Sequence, residues 1–267
     1  MDTIELLEKI RILEEEKLNA LGKLKEKIEL LRALNENTNK IFSATAVIVE
    51  PRKHKALSFV VRNILENLSD EWNVIIYHVN FNEDFVRGLL LNELSQFSSR
   101  IALVNLGVDN LKFQEYSRLI LDANFISKIP TETFLIFQTD SMINSRYKDL
   151  IFTFLKYDYV GAPWRNGQVG NGGFSLRRKS KSLELIKHFI IPKDIDIHED
   201  MYYSDSSNNL YKPPFELASL FSIETVYSKV FFAVHCAWKY HDEKTIKEMC
   251  ENCPGLSELI SLQGVFD

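Results

Sequence analysis

Four short apolar runs, joined by three stretches with helical spacing, constrain the fold more than any other feature of this chain. Thr45-Ala-Val-Ile-Val-Glu50, Trp72 to Val79, Ile101 to Leu106 and Thr133 to Phe137 are largely hydrophobic over the length of a strand. That pattern belongs to strands buried on both faces. Between them, His54 to Leu68 carries Leu57, Val60, Val61, Ile64, Leu65 and Leu68 on one helical stripe. Asp84 to Phe97 and Phe113 to Ile129 read as further helices, the second stopped by Pro130. Strand–helix alternation of this kind predicts an α/β fold with a mostly parallel central sheet flanked by helices. The first turn, Glu50-Pro-Arg-Lys-His54, has no Gly-x-Gly, which argues against a dinucleotide-binding dehydrogenase.

The alternation decays after Tyr147. Short strands and a glycine loop are expected there, then a helix near Ser180 to His188 and an Asp/Ser/Asn-rich stretch from Ser204 to Asn209. A helix near Phe215 to Phe221, a strand around Val226 to Val234, a charged helix near Asp242 to Cys250 and an apolar tail complete the reading. Ahead of all this, Ile4 to Leu34 has helical spacing, with Leu7, Ile10, Leu21, Leu24, Ile28 and Leu31 at a and d positions of a heptad. Glu14 and Lys17 interrupt that seam. It reads either as a coiled-coil helix joining copies of the chain into a homo-oligomer or as a single helix packed on the domain. Asn35 to Lys40 is a polar hinge, so the division expected is an N-terminal helix over 1–40 and one domain over 43–267.

A composition of 45% hydrophobic and 26% charged residues is that of an ordinary soluble globular protein. The net charge of −5 argues against nucleic acid as the main partner. No apolar run approaches the roughly 20 residues of a membrane span. The N-terminus, alternating acids with leucines, is unlike a signal peptide. Three cysteines give no disulfide framework and suit a reducing, cytoplasmic location.

Chemistry concentrates between Phe134 and Arg177. The fourth apolar run leads through Gln138 to Asp140, and half of the glycines fall between Gly161 and Gly173. Glycine is used where backbone must turn sharply or approach a ligand closely. A carboxylate just past a strand's C-terminal end sits where open α/β sheets bind ligands. Asp140 could hold a divalent ion facing a diphosphate, or could cap a helix beginning at Ser141. Glu199-Asp200 offers either ordinary acids at a helix start or a general base for an acceptor hydroxyl. His235 ends an apolar run and is either a core residue or a metal ligand. Cys250 and Cys253, with Cys236 and His241, make a rival zinc site or free thiols.

In order along the chain stand Glu50-Pro-Arg52, Gln138-Thr-Asp140-Ser, Tyr157-Asp-Tyr-Val-Gly-Ala-Pro-Trp164, Gly170-Asn-Gly-Gly-Phe-Ser-Leu-Arg177, Glu199-Asp200 and His235-x-x-Trp238. This order resembles the domain-of-unknown-function 5672 family, whose members look like GT-A glycosyltransferases. The resemblance covers roughly Thr45 to Tyr240, and the strings around Asp140 and Gly170 to Arg177 are its most specific parts. It implies that Asp140 matches the last acid of the Asp-x-Asp motif, binding Mn²⁺ or Mg²⁺, with Gln138 in place of the first acid and turned instead to contacts with the nucleotide's ribose. His235 matches the histidine completing that metal site. Asn171, Gly172 and Gly173 match the loop beside sugar and acceptor, and Asp200, next to Glu199, the base of inverting enzymes. Glu50 and Arg52 sit where such folds hold the nucleotide, while Arg177 and Trp164 match phosphate or sugar contacts. The activity implied is metal-dependent transfer of a sugar from a nucleotide-sugar, a UDP-sugar foremost, to a hydroxyl of a glycan or protein. A degenerate fold serving as a scaffold, and a nucleotidyltransferase, are the alternatives.

Overall fold

The computed structural model describes residues 12–13, 15–20, 22–23, 42–188 and 195–263. Its centre is a six-stranded sheet of order β3-β2-β1-β4-β7-β6. These are β1 (Ala44–Val49), β2 (Trp72–His78), β3 (Ile101–Asn105), β4 (Thr133–Ile136), β6 (Tyr159–Val160) and β7 (Ser175–Arg178). β1 pairs in parallel with both β2 and β4, and β2 with β3, whereas β7 runs antiparallel to β4 and β6. The sheet is therefore mixed but mostly parallel.

Both faces are covered, and alternate residues of one strand feed two separate cores. Ala44, Ala46 and Ile48 of β1 join Val74, Ile76 and Leu135 under the helix Leu57–Asn67, whose Leu57, Val60, Val61 and Ile64 are buried there. Val47 and Val49 face the other way, with Ile75, Tyr77, Phe134 and Ile136 beneath Ile120, Phe125, Ile126 and Ile129. Double-sided burial is why these strands read as continuous hydrophobic runs instead of alternating ones.

Chain order jumps at one place. β1, β2 and β3 run outward in one direction, and the chain then crosses back to place β4 on the other side of β1. The C-terminal ends of β1 and β4 thus diverge at a topological switch point, the usual ligand crevice of such sheets. A second, three-stranded sheet of order β5-β9-β8 lies beside it, formed by β5 (Ser141–Ile143), β8 (Ser222–Ile223) and β9 (Ala233–His235).

Several local expectations are corrected. Asp140 does not cap a helix, because Ser141 to Ile143 pairs with Ala233 to His235 as a strand. The helix over Phe113 to Ile129 is broken in two, Phe113–Ile120 and Ala123–Ser127, where the Asp122 carboxylate accepts the Phe125 amide at 2.8 Å and restarts the helix. The strand around Val226 to Val234 shrinks to Ala233–His235, since β5 and β8 offer only three and two residues to pair with. The helix from Asp84 to Phe97 ends at Leu91 and gives way to a 3₁₀ turn at Ser95–Arg100.

The described pieces of the N-terminal segment are helical and exposed, Leu13 and Leu18 included. Leu7, Ile10, Leu21, Leu24, Ile28, Leu31 and the hinge over 35–40 lie outside the described residues. Among the described residues no helix is long and apolar enough to cross a membrane.

Candidate functional site

At the switch point the structure holds a cleft of about 560 Å³. Glu50, Arg52 and His54 line it from the end of β1, Gln138, Thr139 and Asp140 from the end of β4, and Tyr116 and Phe113 from the far wall. The Glu50 carboxylate is buried and accepts from the Arg52 amide, Nε and Nη2, each at 2.8 Å. Thr139 Oγ1 bonds the same carboxylate at 3.2 Å, joining the two diverging strand ends. Asn82 Nδ2 donates to the carbonyls of Glu50 and Arg52 at 2.8 and 3.0 Å and fixes the turn from below.

Asp140 is brought to His235 by the small sheet, in which Ser141 pairs with His235 and the Cys236 amide donates to the Asp140 carbonyl at 2.8 Å. His235 Nε2 lies 3.3 Å from Asp140 Oδ1 and 3.3 Å from Gln138 Oε1. Its Nδ1 lies 3.2 Å from Glu224 Oε1. The same Glu224 oxygen accepts from Asn171 Nδ2 at 2.7 Å. A carboxylate behind an imidazole fixes ring orientation and leaves the far nitrogen directed at a ligand. Burial opposes charge on the imidazole, but the bonds to Asp140, Cys236 and Glu224 outweigh it and hold its pKa well above the ordinary value. Burial likewise opposes ionisation of Asp140, yet His235 and Lys239 hold that carboxyl well below the usual carboxylate range.

These residues fit a divalent ion. An imidazole nitrogen, a carboxylate oxygen and an amide oxygen converge on one point, a donor set suited to Mn²⁺ and, less selectively, to Mg²⁺. The glycine loop closes on the same point: a Cβ on Gly173 would fall inside the van der Waals envelope of His235 Nε2 and 2.9 Å from Gln138 Oε1. Among the described residues, Asp140, His235 and Cys236 form the group of acids, histidines and cysteines gathered closely enough to hold a metal. Cys250 and Cys253 are not in that group, and His241 Nε2 bonds the Glu224 carbonyl at 2.7 Å.

Glu199 and Arg177 lie together beneath the loop. Arg177 is wholly buried, with Nη2 at 2.9 and 3.1 Å from the Glu199 oxygens and Nε donating to Ser175 Oγ at 2.9 Å. Its guanidinium stacks 4.1 Å from the Tyr203 ring centre. Neither residue lines the cleft. Arg177, expected as a phosphate or sugar contact, is instead bonded within the core. Gly172 sits against this pair, for a Cβ there would overlap Glu199 Oε1. Asp200, the next residue, is partly buried and receives the Gly172 and Met201 amides; burial raises its pKa despite Arg177, His198 and those bonds. Phe113, on the cleft's rim, has its ring 5.4 Å from that of His198, the residue before the helix bearing Asp200, but Asp200 does not itself line the cleft. Trp164 does not line the cleft; its ring is half-buried against Gly170. Asn171 acts through Glu224 rather than by facing the cleft.

Three residues enter the site that sequence reasoning missed. Glu224 directly follows the short strand β8, Ser222–Ile223, an acid just past a strand's end as Glu50 is after β1. Tyr116 sits within an amphipathic helix, and its hydroxyl lies 3.2 Å from Gln138 Nε2. Lys239 Nζ donates to Asp140 Oδ2 at 2.9 Å, and nothing in the sequence separates it from solvated lysines.

No curated protein matches the sequence. Among solved structures the fold is similar to HddC from Yersinia pseudotuberculosis, at 11% identity over 63% of this chain and 88% of that one, with a TM-score of 0.40. It is also similar to the inositol-1-phosphate CTP transferase from T. maritima, at 10% identity over 81% and 98% of the two chains, TM-score 0.46. A third is the mannosyltransferase PcManGT from Pyrobaculum calidifontis, solved with GDP-Man and Mn²⁺, at 11% identity over 74% of this chain and 65% of that one, TM-score 0.47. The sequence model described as "Protein of unknown function (DUF5672)" matches residues 101–237, from the start of β3 through the turn after His235, and the chain belongs to that family.

Proposed function

We propose that the switch-point cleft binds a nucleotide-sugar together with a divalent ion, and that the chain transfers the sugar to an acceptor hydroxyl as a GT-A-type glycosyltransferase. The observation that carries this reading is the convergence of Asp140 Oδ1, Gln138 Oε1 and His235 Nε2 beside a cleft whose exposed charges are cationic. Arg52 and Lys239 keep about half of their side-chain surface open, 52% and 53%, while their partners Glu50 and Asp140 keep 3% and 18%. The acids lie beneath and the cations face outward, an arrangement that favours an anionic ligand.

Roles follow from placement. Asp140, His235 and Gln138 would hold Mn²⁺ or Mg²⁺, which when bound supplies positive charge against a leaving diphosphate. Glu224, steadied by Asn171, orients His235. Gly173, lacking a side chain, leaves the space that Nε2 and Gln138 Oε1 share. Glu50 and Arg52 tie the β1 end to Thr139 and present the Arg52 guanidinium toward the nucleotide. Asp200, held by the Gly172 amide, takes the proton of the acceptor hydroxyl as it attacks with inversion. UDP is the nucleotide that the family resemblance favours. The N-terminal segment over 1–40 is assigned to self-association on its heptad spacing.

The test is turnover against a panel of nucleotide-sugars and acceptors with Mn²⁺. Release of nucleoside diphosphate that is abolished in Asp140→Asn, and lowered about 10²–10⁴-fold in Asp200→Asn with donor binding retained, supports the reading. Release of pyrophosphate in its place would assign nucleotidyl transfer. Wild-type turnover in Asp200→Asn would remove Asp200 as the base.

A further inference from the structure

Lys239 is a lysine in direct contact with Asp140, one of the proposed metal ligands, and its position is set by the fold. β9 delivers His235, the chain passes through Cys236 in the left-handed region at φ 39°, and a short 3₁₀ turn, Ala237–Lys239, folds back over the cleft. A non-glycine residue in that conformation is strained and persists where surrounding structure demands it. The turn returns the Lys239 ammonium to Asp140 Oδ2 at 2.9 Å, while Oδ1 of the same carboxylate faces His235. Lys239 lines the cleft and its side chain is half-exposed, so the ammonium can leave Asp140 without unpacking the core.

From this geometry we infer that Lys239 and the divalent ion compete for Asp140, and that an incoming diphosphate resolves the competition by taking the ammonium. The inference rests on the metal-and-donor reading above and adds the order in which the parts assemble. With the cleft empty, the ammonium satisfies one carboxylate oxygen and repels a dication at that position. A diphosphate entering the cleft offers several anionic oxygens for charge-assisted bonds with the ammonium, where Asp140 offers it one. Moving Lys239 onto the phosphates frees Asp140 Oδ2 and removes the repulsion. Nucleoside diphosphate and metal then each raise the other's affinity, as linkage requires.

Two titrations on the full chain test this, with Mn²⁺ alone as the first probe and UDP, GDP and dTDP without metal as the second. Lys239→Met keeps the length of the side chain and removes its charge; Lys239→Arg keeps the charge. In Lys239→Met, Mn²⁺ should bind roughly tenfold more tightly than in wild type, the scale expected on removing a half-exposed ammonium beside a dication. The diphosphate that binds wild type should bind Lys239→Met more weakly, and Lys239→Arg should restore wild-type behaviour in both titrations. Opposite signs distinguish competition from a structural role, which would weaken both. Equal or weaker Mn²⁺ affinity in Lys239→Met overturns the inference, as does failure of every diphosphate to bind wild type. Equal Mn²⁺ affinity in the two proteins would leave the metal site standing and remove only the lysine's role. Absence of Mn²⁺ binding in both would remove the metal reading as well.

Discussion

Replacing Glu199 by glutamine should destabilise the protein severely, although it changes one atom. Arg177 is fully buried and its Nη2 reaches both Glu199 oxygens, at 2.9 and 3.1 Å. It also touches the Ser175 hydroxyl, the Gly172 carbonyl and the ring faces of Tyr203 and Tyr159, and its Nη1 has no partner among the described residues. Glutamine would leave a guanidinium in the interior without its hydrogen-bonded carboxylate, with only the more distant charge of Asp200 nearby. Breaking a buried pair from one side costs about 3–5 kcal/mol. In a domain of this size each kcal/mol moves the midpoint by about 2–4 °C, so Tm should fall by roughly 6–20 °C. Urea unfolding followed by circular dichroism and tryptophan fluorescence measures the loss directly. The double variant Arg177→Met, Glu199→Leu removes both charges and should recover most of the stability. A Glu199→Gln protein within about 1 kcal/mol of wild type would refute the reasoning. So would a double variant as unstable as the single. Full stability with lost turnover would instead place Glu199 in the reaction.

Two further outcomes follow from the same geometry. Gly173→Ala should abolish Mn²⁺ binding at a stability cost of about 1–3 kcal/mol, because its Cβ collides with the His235 ring that Glu224 holds in place; calorimetry and urea unfolding read the two effects separately. Burial raises the Asp200 carboxyl, so its base form is lost at a higher pH than for a free aspartate. The acid limb of kcat/KM should therefore lie above the position that a free aspartate would give, and be absent from the residual activity of Asp200→Asn.

The central sheet was legible because its strands are buried on both faces. Val47 and Ile48 point to different cores, and both had to be apolar. Acids at strand ends were legible for the same reason, since Glu50 and Asp140 interrupt hydrophobic runs where a parallel sheet opens its crevice. What surrounds them was not. His235 and Lys239 reach Asp140 across 95 and 99 positions of sequence, through a three-residue ladder with no periodicity to read. Phe231 and Phe232 look like strand residues and are buried, but the Phe232 backbone bonds Asn144 and Leu220, just beyond β5 and just before β8, outside the assigned ladder. Arg177 carries a residue type suited to phosphate, and only burial shows that Glu199 already engages it.

The most direct measurement of the central claim is calorimetric binding of UDP-, GDP- and dTDP-sugars with and without Mn²⁺, on wild type and Asp140→Ala. Binding of one nucleotide-sugar that strengthens with Mn²⁺, with that strengthening lost in Asp140→Ala, is the predicted result. Binding of no nucleotide-sugar under any condition would contradict it and favour a scaffold presented by the N-terminal segment.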